Sequence, residues 1–97
     1  MKVYFTPEAE AQVDEIDLWW RTNRPKSPGL FARELAEAKL LITNAPKLGR
    51  FYARLDGHDV RRIVLRKTGH HVYYSEQPEQ ITVYSVWGAP KGRGPRL

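Results

Sequence analysis

Two stretches of this 97-residue chain repeat apolar side chains at i, i+4, i+7 and i+11, a spacing that suits a helix and not a strand. The first set is Ala9, Val13, Ile16 and Trp20; the second is Phe31, Leu35, Ala38 and Ile42. At 3.6 residues per turn each set falls on one side of an α-helix. Thr6-Pro7 opens the first helix. The Thr oxygen can cap a free N–H, and Pro fits the first helical position because its missing N–H would have no partner there. Glu8 and Glu10 follow in the first turn, where the helix dipole favours negative charge. Leu18 and Trp19 widen the stripe, with Trp19 on its flank, and Asn23-Arg24-Pro25 ends it. Ser27-Pro28 repeats the opening signal, and Asn44-Ala45-Pro46 closes the second helix. So few residues separate the two that an antiparallel helical hairpin is expected.

The period changes after Pro46. Leu48 to Gly57 reads as a loop closed by Asp56-Gly57. Asp59 to Lys67 is rich in β-formers, and Lys67-Thr68-Gly69 is a turn signal. His70 to Ser75 is a second run, and Glu76 to Glu79, with Pro78, a second turn. Gln80 to Trp87 alternates, with Ile81, Val83, Ser85 and Trp87 on one side and Thr82, Tyr84 and Val86 on the other. Three strands joined by short turns make an antiparallel meander. Lys2 to Thr6 adds a short strand at the front, with Val3 and Phe5 on one face. The expected fold is α+β, in the order β-α-α-β-β-β, with the helical hairpin packed on one face of a small antiparallel sheet. The other face is left at least partly open. Residues 88–97 hold three Gly, two Pro, Lys91, Arg93 and Arg96 without periodicity. They read as the basic tail of a single domain spanning 1–97.

Composition narrows the function classes. Apolar residues make up 41%, enough for one core in so short a chain. There is no cysteine, which excludes a disulfide framework and thiolate metal sites and fits a reducing cytosol. The first residues lack a signal-peptide apolar region, and no apolar run is long enough to span a bilayer, so a soluble cytoplasmic protein without membrane partners is expected. The net charge of +5 is uneven. Residues 1–46 carry six Lys/Arg against seven Asp/Glu, whereas residues 47–97 carry ten against four. That field suits a nucleic acid or an acidic protein partner; solubility alone is the plainer reading.

Several segments share a familiar order. They are Thr6-Pro7-Glu8-Ala9, Asp17-Leu18-Trp19-Trp20-Arg21-Thr22-Asn23 and Asn44-Ala45-Pro46-Lys47-Leu48-Gly49-Arg50. After them come Val60-Arg61-Arg62-Ile63-Val64-Leu65, Thr68-Gly69-His70-His71-Val72-Tyr73-Tyr74 and Ser85-Val86-Trp87-Gly88-Ala89. Together, over nearly the whole chain, they resemble the RelE/ParE toxin superfamily, on the ParE-like side. The resemblance implies the toxin of a type II toxin–antitoxin system, with growth inhibition and plasmid stabilisation as its setting. It also implies a co-encoded antitoxin with an acidic or amphipathic neutralising segment. RelE-type members cut mRNA in the ribosomal A site; ParE-type members poison DNA gyrase and are not known as nucleases.

Cleavage of RNA through its 2′-oxygen needs a base, an acid for the leaving oxygen and cations for the phosphate. The candidates for such work are Arg62, His70, His71 and Tyr74; Tyr73 or Tyr74 could also stack on a base. The resembling nucleases usually place a Tyr, or a His-Tyr pair, after the last strand. Here that stretch has no His, Tyr, Glu or Asp, which favours the gyrase-directed reading. A basic binding module without toxicity is the third reading. Arg50, Arg61, Arg62, Arg66, Lys91 and Arg93 are the candidate binding residues, the last two only through the family resemblance. His70 and His71 are neighbours on a strand and must point to opposite faces, as must Arg61 and Arg62. Together with His58 the histidines do not form a metal-ligand spacing, so neither a metal nor a cofactor is expected.

Overall fold

The computed structural model describes residues 1–88, Pro95 and Leu97. Its elements are β1 (Lys2–Phe5), α1 (Pro7–Asn23), α2 (Leu30–Asn44), β2 (Arg50–Leu55), β3 (His58–Leu65), β4 (His70–Glu76) and β5 (Gln80–Gly88). The five strands form one sheet in the order β1-β5-β4-β3-β2. The α+β fold is as expected, with both helices on one face. β2 to β5 are antiparallel neighbours, but β1 lies parallel to β5, so the sheet is mixed.

The first helix forms as its sequence dictates. Thr6 Oγ1 accepts the Ala9 N–H at 3.1 Å, and Pro7 follows it. Thr6 also ties the helix start to the last strand: its N–H donates to the Val83 carbonyl at 3.0 Å and its hydroxyl to the Tyr84 carbonyl at 3.2 Å. The second helix starts later than the Ser27-Pro28 signal suggests. Residues 27–29 are spent on the turn from α1, with Ser27 N–H on the Arg24 carbonyl and Leu30 N–H on the Ser27 carbonyl. Gly29 then stands at the N-cap and makes no side-chain cap bond.

The expected loop at Leu48 to Gly57 is instead a strand and a turn. Asp56 and Gly57 both have positive φ, 51° and 79°, the geometry of a two-residue hairpin turn. Their turn signal belonged to a β2–β3 hairpin. A register shift between Phe51 and Ala53 breaks the alternation that would have revealed β2. A second shift lies between β4 and β5, where Tyr73 pairs with Ser85 but Tyr74 with Val83. Tyr84 is the extra residue. Beyond it the faces exchange, so Val86 joins Ile81 and Val83 in the core. Trp87, expected beside them, pairs with His71 on the other face.

The main core lies between helices and sheet, and Val60 and Tyr73 are buried on the sheet's other face. Ala9, Phe31, Leu35, Ala38 and Ile42 meet Leu65, Val72, Tyr74, Ile81, Val83 and Val86, with Val3, Phe5, Val13, Ile16 and Trp20 packed at the margin. Both helical stripes therefore face the sheet, while Trp19 stays 47% exposed on the flank. Polar bonds join the layers where strand partners run out. Beyond β1, the edge of β5 is capped by Gln12, whose Oε1 accepts the Val86 N–H at 2.8 Å and the Ser85 hydroxyl at 3.1 Å. From α2, the Glu34 carboxylate accepts the Lys67 and Thr68 N–H groups at 2.7 and 3.0 Å and so holds the β3–β4 turn.

Candidate functional site

Alternation along β3 and β4 divides the candidate residues between two faces. On the helix side lie Arg61, His70 and Tyr74. Arg61 is opposite Tyr74, and its Nη1 donates to the Gly49 carbonyl at 2.9 Å. The Tyr74 hydroxyl accepts the Gly49 N–H at 2.9 Å and donates to the Pro46 carbonyl at 2.7 Å. Pro46-Lys47-Leu48-Gly49-Arg50 is thus a latch joining α2 to β2. Its glycine is sterically required: a Cβ there would sit 2.8 Å from Tyr74 Oη and 3.0 Å from the Arg62 carbonyl. His70 stacks edge-on against Phe31 at 5.3 Å. Among the described residues its Nδ1 has no hydrogen-bond partner. Burial lowers its pKa, opposed by the Glu34 charge, while His71 lowers it further.

The opposite face, expected to be partly open, is largely covered: Val60, Tyr73, Ser75, Thr82 and Ser85 are buried on it, while Arg62 and His71 are half-buried. Arg62 pairs with Tyr73, and across the other edge with Arg50. His71 is two positions along β4 on the same side. The phenol of Tyr73 approaches His71 Nδ1 at 3.4 Å, and Tyr52 packs edge-on against Tyr73 at 4.7 Å. Burial raises the Tyr73 pKa, partly offset by a hydrogen bond and charge from Arg62. Burial also lowers the pKa of His71, helped by the Arg62 charge. At neutral pH this face therefore holds a neutral, half-buried imidazole and a protonated, buried phenol beside the guanidiniums. Further along, Ser75, Thr82, Gln77 and Tyr84 form a polar floor, with Ser75 Oγ and Tyr84 Oη 2.9 Å apart. The Tyr52 hydroxyl donates to the carbonyl of Pro95 at 2.9 Å, so the end of the chain meets this face.

The structure thus gathers Arg50, Arg62 and His71 on one face and sends Arg61, His70 and Tyr74 to the other. Arg66 is exposed just past β3. Lys91 and Arg93 lie outside the described residues. Tyr52 went unnoticed in the sequence because its segment read as a loop. The Asp56-Gly57 turn was the signal that could have found it, since a hairpin there places Tyr52 beside β3. Two guanidiniums directly opposite on neighbouring strands repel each other, and a bound anionic group would relieve that. Among the described residues no helix is long and apolar enough to cross a membrane.

The fold has known counterparts. A chain from the chromosomal ParDE toxin–antitoxin system of P. aeruginosa superposes with a TM-score of 0.70 at 16% identity, over 92% of this chain and 96% of that one. The isolated E. coli RelE toxin gives a TM-score of 0.61 at 18% identity, over 95% of this chain and 87% of that one. These similarities establish the fold and do not choose between the two types. No curated protein matches the chain. The profile of the ParE toxin of the type II toxin–antitoxin system parDE matches residues 3–89. The chain belongs to the ParE toxin family. As a ParE-family toxin it is one half of a type II toxin–antitoxin pair, with an antitoxin as its cognate partner.

Proposed function

We propose that this ParE-family toxin acts in the cytoplasm by inhibiting DNA gyrase and is neutralised by its co-encoded antitoxin. The observation that carries the reading is the ParE profile match, which runs from β1 to the end of β5. The sequence after β5 agrees with it: residues 89–97 contain no His, Tyr, Asp or Glu to act as acid or base. Arg50 and Arg62 supply fixed positive charge on the face away from the helices, suited to an acidic surface on the target. Lys91 and Arg93 add positive charge to the sequence that follows β5. Purified toxin added to a gyrase supercoiling reaction tests the proposal. Inhibition that the purified antitoxin reverses is the expected result. Supercoiling that continues at saturating toxin would exclude gyrase as the target.

A second reading, a ribosome-dependent mRNA endoribonuclease, is supported by the grouping of Arg62, His71 and Tyr73 on one face. In it, neutral His71 takes the 2′-hydroxyl proton as that oxygen attacks the phosphate, Arg62 stabilises the phosphate charge, and the departing 5′-oxygen takes a proton from water. That reading requires A-site cuts in a translation extract that disappear with His71→Ala. Uncut mRNA in an extract containing active toxin excludes it.

A further inference from the structure

The side of α1 turned away from the sheet carries a second pattern. Ala9, Val13, Ile16 and Trp20 face the sheet, so Ala11, Leu18 and Thr22 face outward. All three are exposed, Leu18 to 65%. Ala11 and Thr22 are small and leave room for another helix to approach on either side of Leu18. Charge along this side is sorted by sign. Glu8, Glu10, Asp14 and Glu15 are exposed in the first half of the helix, and among the described residues none of them makes an ion pair. Arg21, Arg24 and Lys26 are exposed at and just beyond its end. Arg21 reaches back to Asp17 at 3.0 Å, and Arg24 lies over the Trp19 ring at 5.0 Å. The helix dipole accounts for acids in the first turn and bases in the last. It does not account for Asp14 and Glu15, two turns in, or for an exposed leucine between the two signs.

Asp14 and Arg21 are two helical turns apart and differ by only about 20° around the axis, so they lie on one flank of the outward stripe. A second α1 laid antiparallel, about a two-fold axis at Leu18, sets Leu18 on Leu18. It also sets Asp14 of each copy beside Arg21 of the other, and Glu10 near the other copy's Arg24. A parallel pairing would set acids on acids. The surface is complementary to itself in one orientation, which an isologous contact requires and a foreign partner does not.

We infer that the toxin pairs with a second copy of itself through the outward face of α1, antiparallel about a two-fold axis near Leu18. The helix has 17 residues and is ~25 Å long. Contact along it alone falls short of the about 800 Å² per partner of a standard interface, so the dimer is weak, with a dissociation constant on the order of 10–100 µM. α1 packs over β5, whereas β2 and β3 form the far side of the sheet. Pairing through α1 therefore leaves the arginines of both copies' β2 and β3 uncovered, and the dimer offers a partner two basic edges in place of one. The inference is independent of whether gyrase is the target.

Sedimentation equilibrium of the purified full-length toxin, without antitoxin, at about 5 to 500 µM tests the pairing. We expect a monomer–dimer equilibrium in that range. Leu18→Glu should weaken it about ten-fold or more. Phe51→Glu, at the far edge of the sheet and 59% exposed, is the control and should leave it unchanged. Asp14→Arg and Arg21→Glu should each be monomeric alone, because each sets like charges together twice. Mixed one to one, the two variants should dimerise, since the arginine introduced in one meets the glutamate introduced in the other. A toxin that stays monomeric throughout the range overturns the inference. So does a dimer that survives Leu18→Glu, or a mixture of the two charge variants that stays monomeric. Loss of the dimer with Phe51→Glu alone would place the contact at the sheet edge and overturn the inference as well. The substituted side chains are all exposed, and circular dichroism checks that each variant is folded. Should Arg21→Glu, which also loses the Asp17 pair, not fold, the Leu18, Asp14 and Phe51 variants still decide.

Discussion

Gly49 is held from three sides. Its N–H binds the Tyr74 hydroxyl, its carbonyl binds Arg61, and no room remains for a Cβ. Gly49→Ala must displace the phenol or the β3 backbone and should cost about 1–3 kcal/mol, the usual range for overpacking. Tyr74→Phe keeps the ring but leaves the Gly49 N–H and the Pro46 carbonyl without their partner, a loss of about 1–3 kcal/mol. Urea unfolding of both variants measures these costs. The histidines make a separate prediction. Burial lowers both His70 and His71 below the usual 6.5. Just below pH 6.5 the unfolded chain therefore binds more protons than the folded one. Their stabilising contribution is complete above pH 6.5 and is lost as pH falls through the depressed values. The urea midpoint should drop between pH 7.5 and 5.5, and the drop should be smaller in the His70→Asn, His71→Asn double variant. Adjacency on a strand already implied that these two rings separate, as the arginines do. Which of each pair faced the helices was not readable, because Val60, Val64 and Ile63, Leu65 are equally apolar alternatives.

The elements differ in how plainly the chain announces them. Each helix carries an unbroken apolar stripe turned to the sheet, so both were legible from periodicity alone. β2 was not, because a bulge interrupts its alternation and its arginines face solvent as edge-strand side chains do. The bulge at Tyr84 hid the exchange of faces in β5 for the same reason: a single extra residue reverses every later side chain. The candidate face inherits both errors. Arg62 and His71 could be named from sequence, whereas the contacts of Tyr52 and Tyr73 that frame them depend on β2 being a strand. Thr6 joins three elements. Thr6→Ala removes an N-cap and should destabilise by about 1 kcal/mol, within a range of 0.5–2. Its hydroxyl also reaches the Tyr84 carbonyl. Hydrogen exchange of Thr6→Ala should therefore show faster opening at the start of α1 and around Tyr84, with β3 less affected.

Across the whole molecule, charge is the dominant asymmetry. The second half carries ten Lys/Arg against four Asp/Glu. Such a field speeds encounters with acidic partners and is screened by salt over roughly 8–10 Å at physiological ionic strength. The association rate of toxin and antitoxin should fall steeply as salt rises from 50 to 500 mM on a stopped-flow timescale, while dissociation changes less. On the proposed gyrase reading, Arg50→Glu with Arg62→Glu should flatten the dependence on salt of supercoiling inhibition, measured at several ionic strengths.

The parallel pairing of β1 with β5 bears on how the toxin is made. Lys2 to Phe5 are synthesised before Gln80 to Val83, the residues they pair with in the sheet. During synthesis the leading strand has nothing to pair with, and a prematurely terminated product cannot finish the sheet. A cell making this protein meets the finished poison only after β5 has been synthesised.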